Sequence, residues 1–313
     1  MRALLLSVLV VPLVFAAAAN YSYDAAGHLI KVDYGTAGSI VYTYDKAGNL
    51  TGRTAVGSAT AGGVITSVNT AGSPASAGIA QNTWIEIHGS NLVPANTPAA
   101  GVIWSTAPDF AQGKMPTQLN GISVTVNGSA AFVYFFCSAA TNPNCATDQV
   151  NVLTPLDGTV GPAQVIVSNG SASSAPFQVP MNPVVPSLLQ FVPQGYVAAA
   201  HVNNTLIGPP TLYPGASTPA APNETVQVYA VGFGLPSTSI TLGSSSQSGL
   251  LSTLPVCKIG GNNAAVGFAG LISPGLYQLN ITVPANAATA DNPISCSYAG
   301  ASTPAGDLLT VHP

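Results

Sequence analysis

The chain has 313 residues, of which 47% are apolar and 5% charged, with a formal net charge of −4. That apolar fraction fills more than one core and excludes a largely disordered chain. The six basic residues cannot build the patch that neutralises a phosphate backbone, which excludes nucleic acid as a partner. Two Glu, eight Asp and four His leave little from which to pair a base with an acid or to assemble a metal shell. A protein without catalytic, cofactor-binding or metal residues is therefore expected.

Arg2, the apolar run Ala3 to Phe15 and the small residues Ala16 to Ala19 read as an export signal over residues 1–19, cleaved near Asn20. The run is shorter than the ~20 residues that span a bilayer. With no later segment apolar enough to serve as an anchor, a secreted or cell-surface protein without a transmembrane helix is expected.

Residues 20–54 hold a tandem repeat, in which Tyr23-Asp24 recurs as Tyr44-Asp45 and each pair precedes an Asp-x-x-Gly turn. The motif resembles the YD repeat of Rhs-type and teneurin-type proteins, whose long arrays coil into a β shell. Two copies are too few to close a shell, so a short β-hairpin segment is expected. Residues 55–63, rich in Gly, Ala, Ser and Thr, read as a flexible linker.

Short alternating runs then follow: Val64 to Val68, Thr83 to His88, Ser123 to Val126, Ala130 to Phe136, Gln149 to Leu153, Ala163 to Val167 and Ala175 to Val179. Turn residues separate them, no amphipathic helix is visible, and Asn127-Gly128 is a tight hairpin turn. Residues 64–180 are thus expected to form an immunoglobulin-like sandwich.

The pattern returns in residues 223–313. QVNVLTP (Gln149 to Pro155) matches QLNITVP (Gln278 to Pro284), VTVNGSAAFV from Val124 matches CKIGGNNAAVGF from Cys257, and WIEIHGSNL from Trp84 matches VQVYAVGFG from Val226. The fold class is therefore all-β, with tandem sandwiches. Residues 181–222, containing a hairpin around Asn203-Asn204, are expected to pack in the crease between the copies.

Four cysteines in an exported chain form an even, oxidisable set. Cys137 and Cys145 bracket a short loop and are expected to pair. Cys257 and Cys296 fall where the first copy has inward-facing Val124 and Val167, so they are expected to pair inside the core. Zinc-type spacing is absent.

HGSNL, the Asn-Gly turn, QVNVLTPLDGTVGPAQVIVSNG, GYVAAAH, LYPGASTPA, VYAVGFG and GLYQLNITVPA, in that order, resemble an uncharacterised C-terminal domain family first noted in Solibacter proteins. Each sandwich is similar to TIG/IPT immunoglobulin-like modules. The resemblance implies a β fold and an exported location, with no established activity.

Trp84, Glu86 and His88 share one outward strand face, which leaves a Glu/His hydrolase as the enzymatic alternative. His28 and His201 are expected at the surface without carboxylate partners. FVYFF, Phe132 to Phe136, is apolar on both parities. One face belongs to the core, and the other, carrying Phe132, Tyr134 and Phe136, either forms a ligand platform or packs on the segment after Pro180. Trp104 and Phe110, in the long loop from Gly89 to Asn120, are further candidates for recognition. The expected ligand residues are thus Trp104, Phe110, Tyr134 and Phe136. The expected partner is a neutral carbohydrate or another surface protein, in a binding or adhesive role, with a passive stalk as the third reading.

Overall fold

The computed structural model describes residues 19–34, 38–57, 62–72, 78–170, 172–191 and 195–312. The chain divides into two compact units, Met1–Ala61 and Gly62–Pro313. Nearly every regular element is a strand. Among the described residues no helix is long and apolar enough to cross a membrane. The expected export signal falls almost wholly in residues 1–18, outside the described residues, as do positions 58–61 of the expected linker.

The first unit is a four-stranded antiparallel meander of β1 (Asn20–Tyr23), β2 (Leu29–Asp33), β3 (Gly38–Tyr44) and β4 (Leu50–Gly57). The Asp of each Tyr-Asp pair builds the turn that follows it. Asp24 Oδ1 accepts the Ala26 and His28 amides at 2.9 and 2.8 Å, while Oδ2 meets His28 Nδ1 at 2.9 Å. Asp45 repeats this with the Ala47 and Asn49 amides and the Asn49 side chain, each at 2.9 Å. These bonds, those from the His28 and Asn49 side chains foremost, hold both carboxyls below their ordinary range. His28 therefore has the carboxylate partner that its sequence context did not reveal, because the turn folds it back onto Asp24. The Tyr44 hydroxyl donates to Leu29 O at 2.9 Å and ties the second repeat to the first.

In the second unit, the first sandwich comprises β5 (Val64–Thr70), β6 (Trp84–Ser90), β7 (Ile122–Val126), β8 (Phe132–Cys137), β9 (Asp148–Leu153), β10 (Gly161–Asn169) and β11 (Phe177–Met181). One sheet runs β5-β6-β9-β8 and the other β7-β10-β11, the strand order of an immunoglobulin-like domain. Alternation sets the faces. On β6, Ile85 and Ile87 are fully buried, while Trp84, Glu86 and His88 are half-buried on the outer side. Asn127 and Gly128, at φ of 50° and 79°, make the tight turn after β7.

The second sandwich repeats the plan with β12 (Thr225–Val231), β13 (Val256–Ile259), β14 (Val266–Ser273), β15 (Leu276–Thr282), β16 (Ala290–Tyr298) and β17 (Leu308–Val311). Its sheets run β12-β15-β14 and β17-β16-β13. Val124 faces Val167 and Val126 faces Val165 in the first copy; Cys257 faces Cys296 and Ile259 faces Ile294 in the second. Both cysteines lie in the core and are joined, as are Cys137 and Cys145.

One correspondence shifts by a residue. Gln149 lies opposite His88 and Gln278 opposite Tyr229, so Trp84 corresponds to Thr225 and not to Val226. The register has no freedom here, because a slip of one would turn Val226 and Val228 out of the core.

The segment expected in the crease is woven into the second sandwich, and its Leu189 also lines the space between the copies. Ser187–Leu188 and Ala199–Ala200 both pair with β12, and Tyr196 pairs in parallel with Leu308 of β17. The edges of the two sheets supply partners for its backbone groups, which a crease of side chains would leave unsatisfied. The hairpin around Asn203-Asn204 is present, with the His201 amide donating to Thr205 O at 2.9 Å.

Candidate ligand-binding site

The crease between the sandwiches is closed by side chains of the first resting on turns of the second. Leu153 of β9 is fully buried there, and the Trp84 indole N–H donates to Pro274 O at 2.7 Å. Gly275 permits this approach: a Cβ at that position would lie 2.4 Å from Leu153 and 2.9 Å from Trp84, and its φ of +65° suits glycine.

The FVYFF stretch does not alternate throughout. A β-bulge falls between Val133 and Phe135, so Phe132 and Tyr134 stay on the outer face while Phe136 turns inward. At 2% exposure in the core, Phe136 has no ring face for a ligand, which corrects its place among the candidates. Phe132 is also covered. Its ring lies 3.3 Å from where a Gly243 Cβ would stand, so the second sandwich, and not the segment after Pro180, buries it.

Tyr134 is re-aimed by the bulge into an aromatic cluster. Trp104 opens a short 3-10 turn, Trp104–Thr106, immediately after Val102–Ile103, which pairs with Phe135 and Phe136 and so pins the long loop to β8. The four-residue helix α1 (Pro108–Ala111) follows and carries Phe110. Trp104 meets Trp84 at 5.4 Å and Tyr134 at 5.1 Å, both edge to face, and Phe110 at 5.1 Å with the rings tilted by 32°. Trp84 and Tyr134 complete the triangle at 5.2 Å.

Trp84, Trp104 and Tyr134 open on a cavity of about 310 Å³, lined further by Asn151, Leu189 and Pro274, while Phe110 packs against Trp104 outside it. No lining side chain is an acid, a base or a histidine. Among the described residues the Trp104 indole N–H and the Tyr134 hydroxyl have no hydrogen-bond partner within the chain, whereas the Asn151 carbonyl accepts from Gln149 at 2.8 Å. The cavity thus offers apolar ring surface with a few uncommitted polar groups, the ordinary make-up of a small-molecule site. Of the four expected ligand residues, Trp104 and Tyr134 line the cavity and Phe110 backs Trp104. Trp84 was not among them, although its outward parity next to Glu86 was the signal that exposed it.

The titratable pairs lie apart from this cluster or at its edge. His88 Nε2 stands 3.6 Å from Glu86 Oε2, and its Nδ1 meets Thr147 Oγ1 at 3.2 Å. His201, expected to be unpartnered, meets Glu224 Oε1 at 2.5 Å through Nδ1 and Thr218 Oγ1 at 2.9 Å through Nε2. That chain fastens the hairpin to the residues before β12, a long-range placement that local context does not show. Asp307 is buried beside Gln190, which donates to it at 2.5 Å, and burial raises its carboxyl to about 6. Among the described residues no group of three or more His, Cys, Asp or Glu could hold a metal ion.

Fold and site together define an all-β protein of tandem sandwiches with an aromatic crease, preceded by a repeat unit. Residues 23–60 match the RHS repeat family. No curated protein matches the chain. Three solved structures are similar: SGBP-B from a complex xyloglucan utilization locus in Bacteroides uniformis, at 14% identity and TM-score 0.22, over 79% of this chain and 49% of that one; the gamma-CGTase of alkalophilic Bacillus clarkii, at 10% and 0.23, over 87% and 32%; and surface layer protein SbsC, domains 4–9, at 11% and 0.22, over 93% and 44%. The chain spans less than half of each of those chains.

Proposed function

We propose that the chain is an exported, non-enzymatic binding protein that holds a neutral ligand of glycan type in the aromatic crease, at the cell surface or outside the cell. The observation that carries this reading is the cavity itself: Trp84, Trp104 and Tyr134 present ring surface, and no lining residue bears a charge. Two joined cysteine pairs support export, since such bonds persist in oxidising compartments. The immunoglobulin-like strand order of both copies supports kinship with the TIG/IPT-like modules and the Solibacter-type family.

Binding isotherms with neutral oligosaccharides, at low and high salt, test the reading. Affinity is expected to change little with salt, because the cavity holds no charge to screen, and to fall more than tenfold in Trp104→Ala. Steep salt dependence, or unchanged affinity in Trp104→Ala, would overturn it. A pH-dependent turnover lost in Glu86→Gln would replace it with a hydrolase.

A further inference from the structure

The loop that supplies Trp104 and Phe110 also walls a second cavity along the same crease. It measures about 540 Å³ and is lined by Asp109, Gln112, Lys114 and Thr117 of the first sandwich, with Thr241 of the second and Phe132 of β8 among its other neighbours. The two loops that form it are joined by backbone bonds. The Met115 amide donates to Gly243 O at 2.8 Å, and the Ser245 amide to Gly113 O at 2.9 Å. Its walls are therefore set by a short ladder between the sandwiches, and the space exists before any ligand arrives.

Phe132 and Tyr134 lie on the same outer face of β8, so the two cavities follow one another along that strand. Trp104 packs in one cluster with Phe132, Met115 and Leu153, so one aromatic wall serves both spaces. The polar complement also fits. Among the described residues the side chains of Gln112, Thr117 and Thr241 have no hydrogen-bond partner within the chain, and Asp109 and Lys114 bring opposite charges that leave the cavity without a net one.

We propose that this cavity is a second sugar subsite, and that the ligand is a linear, neutral oligosaccharide lying along the crease across both spaces. The inference rests on reading the aromatic cavity as a sugar site. A single sugar fills one space only; a chain of several rings places one ring against Trp104 and Tyr134 and offers its further hydroxyls to Gln112, Thr117 and Thr241. Recognition then depends on chain length, which a single pocket cannot produce.

The test is calorimetric titration of the full chain with oligomers of two and of six residues from α-1,4-glucan, β-1,4-glucan, β-1,4-mannan and β-1,4-xylan. In the series that binds, the hexamer is expected to bind at least tenfold more tightly than the dimer. Gln112→Ala with Thr241→Val should bring the hexamer to the affinity of the dimer and leave the dimer unaffected, whereas Trp104→Ala weakens both. Both substituted side chains are exposed, so the fold should tolerate them; Thr241→Val alone, with part of the same effect, stands in if the pair lowers the melting midpoint. Equal affinity for dimer and hexamer, or a double variant that keeps the full length dependence, overturns the second subsite while leaving the aromatic site intact. Failure of every series to bind refutes the sugar reading itself.

Discussion

The two sandwiches carry the same bulge on the same strand: Val133 and Phe135 flank it in the first, Val266 and Phe268 in the second. Each also keeps a Gln side chain donating to an Asn two residues on, Gln149 to Asn151 at 2.8 Å and Gln278 to Asn280 at 2.7 Å. What differs is the residue that the bulge displays. It is Tyr134 in the first copy and Gly267 in the second, where a Cβ would meet nothing within 4 Å. At the head of β6, beyond the intervening β9, Trp84 is likewise replaced by Thr225 at the head of β12. The backbone device is common to both copies, and the aromatic site exists only where large rings occupy positions that the fold leaves open.

A second difference lies in how each core is closed. The first copy packs Val124 against Val167, and the second joins Cys257 to Cys296. Giving the second copy the first copy's pair, Cys257→Val with Cys296→Val, is expected to have the largest effect, a loss of about 4 kcal/mol from restored loop entropy. Denaturant unfolding measures it. A loss under about 1 kcal/mol would mean that valine packing closes either core equally well.

Asp307 gives the next largest effect. It faces Ile294 at the place where the first copy sets Phe177 against Val165. Because burial raises its carboxyl to about 6, from an ordinary 3.8, the folded state holds the proton more tightly than the unfolded chain. Its contribution is therefore most favourable below about pH 4 and is lost as pH rises to about 6. Asp307→Asn is expected to stabilise the protein by about 2 kcal/mol at pH 8 and to make no difference near pH 4. Melting curves across that range check it, and equal gains at both pH values would remove the carboxyl as the cause.

Smaller effects come from exchanging the bulge residues. Tyr134→Gly gives the first copy the bulge of the second and should weaken sugar binding several-fold, about 1 kcal/mol for the lost ring contacts. The reciprocal Gly267→Tyr enters open space and should change stability by no more than about 0.5 kcal/mol. It should confer no binding, since Trp84 and Trp104 have no counterparts beside it; a second binding site appearing in titrations of this variant would show that the bulge alone makes the site.

Parity and pairing made much of this architecture legible in advance. Ile85 and Ile87 alternate with Trp84, Glu86 and His88, and that alternation survives in the structure because β6 runs regularly between two neighbours. Cys257 and Cys296 could be placed because Val124 and Val167 marked inward positions in the first copy, and Cys137 and Cys145 because a short loop separates them. The same reasoning failed at Phe136, since a bulge adds a residue to one strand and reverses every parity beyond it, and nothing in FVYFF shows where the addition falls.

The sequence by itself determined the all-β class, the duplication, the repeat at the front and both cysteine pairs. Each depends on periodicity or on a residue's own chemistry, which are local properties. Only the tertiary structure decided that Trp84, Trp104, Phe110 and Tyr134 meet, that His201 reaches Glu224, and that the segment after Met181 joins the sheets of the second sandwich. Those contacts join residues far apart in the chain. They depend on how loops, a bulge and two sheets are stacked, which no local pattern encodes.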